Sequence, residues 1–178
     1  MRTDRLQRDF GVELRWSVFP LHPEVPEEGM DLAELFVGRE EQLGSMQARL
    51  LQLSIEEGLP LMERNRTCNS RRAQELGKWA ESRGKGEPYM MAVYRAYFVD
   101  GRNIALVDEL IRLAGDVGLP GDEAGAVLAT KSFAEAVDGD WRRARELGIR
   151  GVPTHLCGDR KLVGFSPYED FVRLIGRS

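Results

Sequence analysis

The chain has 178 residues, 42% of them hydrophobic, enough for one globular domain with a sizeable core and an inserted subdomain. Lys and Arg number 25 against 29 Asp and Glu, so no broad basic footprint points to nucleic acid, and small or neutral partners are expected. No run approaches the roughly 18 apolar residues of a membrane span and the first ten residues hold no hydrophobic signal region, so a cytoplasmic protein without membrane partners is expected. Its two cysteines, Cys68 and Cys157, lie far apart in sequence. A reducing compartment keeps both as thiols, which disfavours a structural disulfide.

Residues 2 to 9 are polar and compatible with a helix. Val12, Leu14, Trp16 and Val18 then alternate with Glu13, Arg15 and Ser17, and that period of two predicts a half-buried strand reaching Phe19. Pro23 and Pro26 withdraw backbone donors, so the strand ends in an exit loop. From Asp31 to about Val137, apolar residues recur three and four apart with Gly or Pro between segments, which predicts a block of helices. Its clearest member spans Ile104 to Val117, with Asn103 as N-cap and Gly118 and Pro120 beyond its end. Tyr89, Met90, Val93, Tyr94, Tyr97 and Phe98 form a second stripe, which core packing explains more simply than a ligand pocket.

After a helix around Trp141 to Leu147, two strand-like runs, Val152 to Cys157 and Lys161 to Phe165, flank Gly158 and Asp159, the turn chemistry of a hairpin. Ser166, Pro167 and Glu169 supply an N-cap, a first-turn proline and a capping-box carboxylate for a last helix with Tyr168, Phe171, Val172 and Ile175 on one face. Strands divided by helices indicate an α/β fold.

Gly148-Ile149-Arg150-Gly151-Val152-Pro153-Thr154, followed by the hairpin and Gly164-Phe165-Ser166-Pro167-Tyr168-Glu169, resembles the C-terminal half of DsbA-like thioredoxin-fold oxidoreductases. Three further segments resemble the FrnE-type members: Phe19 to Pro23, the helix start at Asn69 to Ala73, and Ala96-Tyr97-Phe98. The resemblance covers nearly the whole chain. It implies a thioredoxin-like core over residues 1–30 and 138–178, a large helical insertion over 31–137, and thiol-disulfide exchange on a protein or small-molecule thiol or disulfide. It also implies a cis bond between Val152 and Pro153, and a substrate-binding surface of Val152, Pro153, Thr154 and Asn69.

Family members begin with a strand and a Cys-x-x-Cys at the N-terminus of the first helix, whereas the resemblance implies that Met1 falls inside that helix, so a chain lacking the first strand and the nucleophile is expected. The expected consequence is a chain without redox turnover. The absent strand is a central one, and a hole there would leave several unpaired backbone groups at about 1 to 3 kcal/mol each. Three remedies follow: a longer polypeptide, a strand lent by another chain, or a rearranged sheet, of which the first is favoured. The alternative activity implied by the fold is that of the glutathione-dependent 2-hydroxychromene-2-carboxylate isomerases and kappa-class glutathione transferases, with glutathione as cofactor. Without it no cofactor is expected. A non-catalytic binding module is the third reading, and a homodimer is compatible with all three.

Cys68 and Cys157 are weak candidates for replacement thiols. Cys157 lies two residues after His155 on one strand face, and Cys68 precedes a helix start; both could lower a thiol pKa. A buried structural cysteine and a loop cysteine are the simpler readings. No metal is expected, because only His155 and Cys157, among Cys68, Cys157, His22 and His155, lie close in sequence. The pairs Arg71-Arg72 and Arg142-Arg143 read as solvated surface.

Overall fold

The computed structural model describes residues 2–177. In chain order the elements are α1 (Arg2–Phe10), β1 (Met30–Asp31), α2 (Leu32–Leu35), α3 (Glu40–Glu56), β2 (Arg66–Thr67), α4 (Arg71–Ser82) and α5 (Gly86–Phe98). There follow α6 (Val107–Asp116), α7 (Gly121–Thr130), α8 (Ala134–Glu146), β3 (Thr154–Cys157), β4 (Arg160–Val163) and α9 (Tyr168–Leu174). Two compact units result: the residues up to Leu21 with those from Asp138 onward, and His22–Val137.

In the His22–Val137 unit the three-and-four spacing of apolar residues produces the core. α4 turns Ala73, Leu76, Trp79 and Ala80 inward, α5 Tyr89, Val93 and Ala96, α6 Leu110, Leu113 and Ala114, and α7 Ala124, Val127 and Leu128. These stripes merge into one cluster in which Leu76, Leu110, Ala114 and Ala124 are fully buried. Burying a leucine contributes roughly 1.5–3 kcal/mol, so these four helices hold the unit together. Of the aromatic stripe on α5, Tyr89 and Val93 are core and Tyr97 packs against it, while Tyr94 remains 45% exposed. The block also contains a short ladder, Met30 opposite Thr67 and Asp31 opposite Arg66, where helix alone was expected. Two residues per strand are too short a run for periodicity to reveal.

Arg71 and Arg72 are structural ties rather than solvated charge. Arg71 Nε bonds the buried Glu75 at 2.6 Å and its Nη2 reaches the Ala134 carbonyl at 2.9 Å. Arg72 pairs with Glu27 and donates to the Ala105 carbonyl at 3.2 Å. Arg142 and Arg143 are exposed.

In the other unit α1 packs against α9. The Arg5 guanidinium lies 3.9 Å from the Tyr168 ring centroid, and the Tyr168 hydroxyl donates to Asp9 at 2.6 Å. β3 and β4 form an antiparallel hairpin, Thr154 opposite Val163 and Cys157 opposite Arg160. Gly158 opens the turn at φ 57, in the left-handed region that glycine enters freely.

The predicted strand from Val12 to Phe19 does not form. Among the described residues the segment joins no ladder, and Trp16 is 42% exposed. The alternation is real in part, since Val12, Leu14 and Val18 are half-buried, but a strand also needs a paired neighbour, which a side-chain pattern does not supply. Near its end Val18 N–H donates to Asp140 Oδ2 at 2.9 Å.

Two caps also differ from expectation. The helix expected from Ile104 starts at Val107, because Asn103 Oδ1 accepts Ala105 N–H at 2.9 Å and closes a separate turn first. The last helix starts at Tyr168 with Pro167 in the cap position and no side-chain cap bond. Ser166 is buried beside it.

Candidate functional site at the Val152–Pro153 turn

Gly151 to Thr154 leads into β3 on a well-braced backbone. Pro153 C=O accepts Gly164 N–H at 2.8 Å, and Thr154 Oγ1 donates to the Gly151 carbonyl at 2.7 Å. The Val152–Pro153 peptide bond is cis. Thr154 is thereby a brace for the turn, its hydroxyl spent inside it.

Val152 itself is 53% exposed. Among the described residues neither its N–H nor its C=O takes part in a hydrogen bond. An exposed residue between fixed neighbours therefore carries a backbone donor and acceptor that no other described group engages, which is what an extended partner chain pairs with. The exposed residues Leu156, Val163 and Phe165 lie on the hairpin or just after it.

Along β3, His155 packs edge-on against Phe171, ring centroids 4.7 Å apart. Its Nδ1 is buried with no hydrogen-bond partner, and burial holds its pKa below the usual value. A neutral imidazole offers little to draw a proton from a neighbouring thiol electrostatically. Cys157 is half-buried and free.

The other two candidates belong to the helical unit. Asn69 is committed to structure: Nδ2 donates to the carbonyls of Pro23 (3.2 Å) and Val25 (2.7 Å), and Oδ1 accepts Arg71 N–H at 2.8 Å. It ties the exit loop to the start of α4. Cys68 is also free and packs against the helical core. Burial pushes its thiol pKa up, opposed by the backbone N–H groups of Ile104 and Ala105 and by the charge of Arg64. A raised pKa leaves less thiolate, the opposite of what a redox nucleophile needs. The structure thus gathers Val152, Pro153 and Thr154 at one turn, with Cys157 at the far end of the same strand. No group of three or more His, Cys, Asp or Glu suited to a metal occurs among the described residues, and none of their helices is long and apolar enough to cross a membrane.

A family model described as DSBA-like thioredoxin domain matches residues 1–176. The chain belongs to the DsbA-like thioredoxin domain family. Among solved structures, a protein described as a probable DsbA oxidoreductase of Streptomyces coelicolor is 28% identical, with a TM-score of 0.87 over 98% of this chain and 80% of that one. A 2-hydroxychromene-2-carboxylate isomerase is 21% identical, with a TM-score of 0.72 over 97% of this chain and 83% of that one, a likeness of fold. Among curated relatives, the uncharacterized protein YwbO of Bacillus subtilis is 27% identical over 165 residues, 92% of this chain and 81% of that protein. The DsbA-like fold here is mainly helical with few strands, as an α/β fold with a helical insertion requires.

Proposed function

We propose that this DsbA-like chain binds extended thiol- or disulfide-bearing substrates, proteins or small molecules, at the Val152–Pro153 turn, within the dithiol-disulfide exchange chemistry of its family. The observation that carries this reading is the exposed residue Val152, with its backbone N–H and C=O both unbonded among the described residues. Pro153 shapes the turn and Thr154 braces it. Exchange proceeds by thiolate attack on a disulfide sulfur, forming a mixed disulfide and expelling the other sulfur as thiolate; a second thiol then releases the substrate. The 178-residue chain has Cys68 and Cys157 as its only thiols. With Cys68 disfavoured as a thiolate, binding without turnover is its expected behaviour.

The test combines kinetics with a backbone probe. With dithiothreitol as reductant and a disulfide-containing peptide as substrate, exchange should run at the uncatalysed rate. The Val152 amide resonance should nevertheless shift saturably as the peptide is added. Val152→Pro removes the donor and should abolish that binding. Peptide binding that leaves the Val152 amide unmoved would sink the proposed site. Turnover abolished by Cys68→Ser or Cys157→Ser would overturn the inactive reading and place the nucleophile. Glutathione bound at the Val152 amide, with no response to the peptide, would favour the isomerase-like alternative.

A further inference from the structure

A second polar site lies in the helical unit, on the segment that joins α3 to α4. Its backbone is pinned at successive points. Met62 N–H donates to the Phe98 carbonyl at 2.8 Å and Leu32 N–H to the Asn65 carbonyl at 2.7 Å. Gln47 Nε2 donates to the Arg64 carbonyl at 2.8 Å, and the β1–β2 ladder follows at once. Arg64 is thus held on a fixed backbone. Its guanidinium carbon lies 4.3 Å from the Tyr97 ring centroid and 4.8 Å from that of Phe98. An aromatic shelf of this kind fixes the plane of the fork while leaving its edge donors free.

What sets Arg64 apart is the lack of a counter-charge among the described residues. Four arginines of this unit are half-buried: Arg64, Arg71, Arg72 and Arg102. Arg71 pairs with Glu75, Arg72 with Glu27 and Arg102 with Glu109. Among the described residues Arg64 has no carboxylate partner, and its Nη1 is buried without any hydrogen bond. A guanidinium cannot shed its proton to escape that cost. Arg64 lines an open groove of about 640 Å³, large enough for a small molecule, whose other walls include Leu32, Ala33, Leu43 and Gln47. Glu63 lines the same groove and likewise has no ion-pair partner among the described residues. Asp31, also at the groove, is already committed to Arg66 at 2.9 Å.

We propose that this groove binds a small zwitterion of the α-amino-acid type, with its carboxylate on the Arg64 guanidinium, its ammonium toward Glu63 and an apolar side chain against Leu32, Ala33 and Leu43. A simple anion would satisfy Arg64 but face Glu63, and a simple amine the reverse. A zwitterion meets both uncommitted charges, and the fixed shelf lowers the ordering cost of binding. The site is independent of the Val152–Pro153 turn and of the reading placed on it.

Isothermal titration calorimetry on the 178-residue chain tests this with three probes of one shape: L-leucine, isocaproate, which lacks the ammonium, and isopentylamine, which lacks the carboxylate. Saturable leucine binding is expected, with both analogues weaker. Arg64→Met keeps an apolar stem over Tyr97 and Phe98, and should weaken leucine at least about tenfold, equivalent to about 1.4 kcal/mol. Glu63→Gln, on the exposed rim, should weaken leucine but not isocaproate, and reads the site even if the Arg64 variant fails to fold. Absence of saturable leucine binding, isocaproate binding as tightly as leucine, or leucine binding unchanged in a folded Arg64→Met protein or in Glu63→Gln would each overturn the proposal.

Discussion

Burial of His155 beside Phe171 holds its pKa below the ordinary value of 6.5. An unfolded chain then takes up a proton that the folded imidazole resists, so the stability this residue contributes is intact above about pH 6.5 and lost as the pH falls below it. Urea midpoints recorded from about pH 7.5 down to 5.5 should decline in the wild type, and His155→Gln should flatten that decline. An unchanged profile would mean that another group governs it. Asn69 carries a different load. Asn69→Ala leaves the carbonyls of Pro23 and Val25 and the N–H of Arg71 without their side-chain partner, and should cost about 1–3 kcal/mol by urea denaturation. A cost near zero would show that water replaces those bonds. The substrate role expected of Asn69 came with the family resemblance; two of the residues it ties, Pro23 and Val25, lie far off in sequence, so that part of its structural role is not readable from its neighbours.

At the scale of elements, the short β1–β2 ladder depends on Gly29. Its φ is 85, and a Cβ there would stand 2.7 Å from the backbone oxygen of Thr67. A carbonyl cannot rotate away as a side chain can, and the left-handed backbone adds about 1–2 kcal/mol for any residue with a Cβ. Gly29→Ala should therefore lower the melting temperature, and an unchanged value would mean that the ladder contributes nothing. In the helical core, Leu110 is fully buried; Leu110→Ala should cost about 2–5 kcal/mol in urea denaturation, through lost transfer energy and the cavity left behind. The helix carrying Leu110 was readable because a burial stripe repeats within the element. Its start was misplaced by three residues because Asn103 caps locally, a choice made by backbone geometry rather than by residue type. The Gly158–Asp159 hairpin was equally readable, since turn residues and flanking strands lie within a dozen positions.

For the whole molecule, the segment from Val12 to Ser17 has no backbone hydrogen bonds among the described residues. Its amides should exchange with solvent rapidly, while those in the middle of α4 and α6, inside the buried cluster, should be the slowest in the chain. Protection of residues 12–17 equal to that of α6 would reveal a ladder that the structure does not contain. The sequence by itself determined the class of the fold, the helical block, the hairpin and the turn at Val152 and Pro153, because each is written in spacings of two to four residues or in a short motif that resembles a family. Only the tertiary structure decided that, among the described residues, the 12–17 alternation joins no ladder and Arg64 lacks the carboxylate partner its half-buried neighbours have, that Asn69 and Thr154 are spent on bracing, and that burial disfavours the Cys68 thiolate. Those outcomes depend on which distant groups meet and how far water is excluded from them, and a linear pattern carries neither.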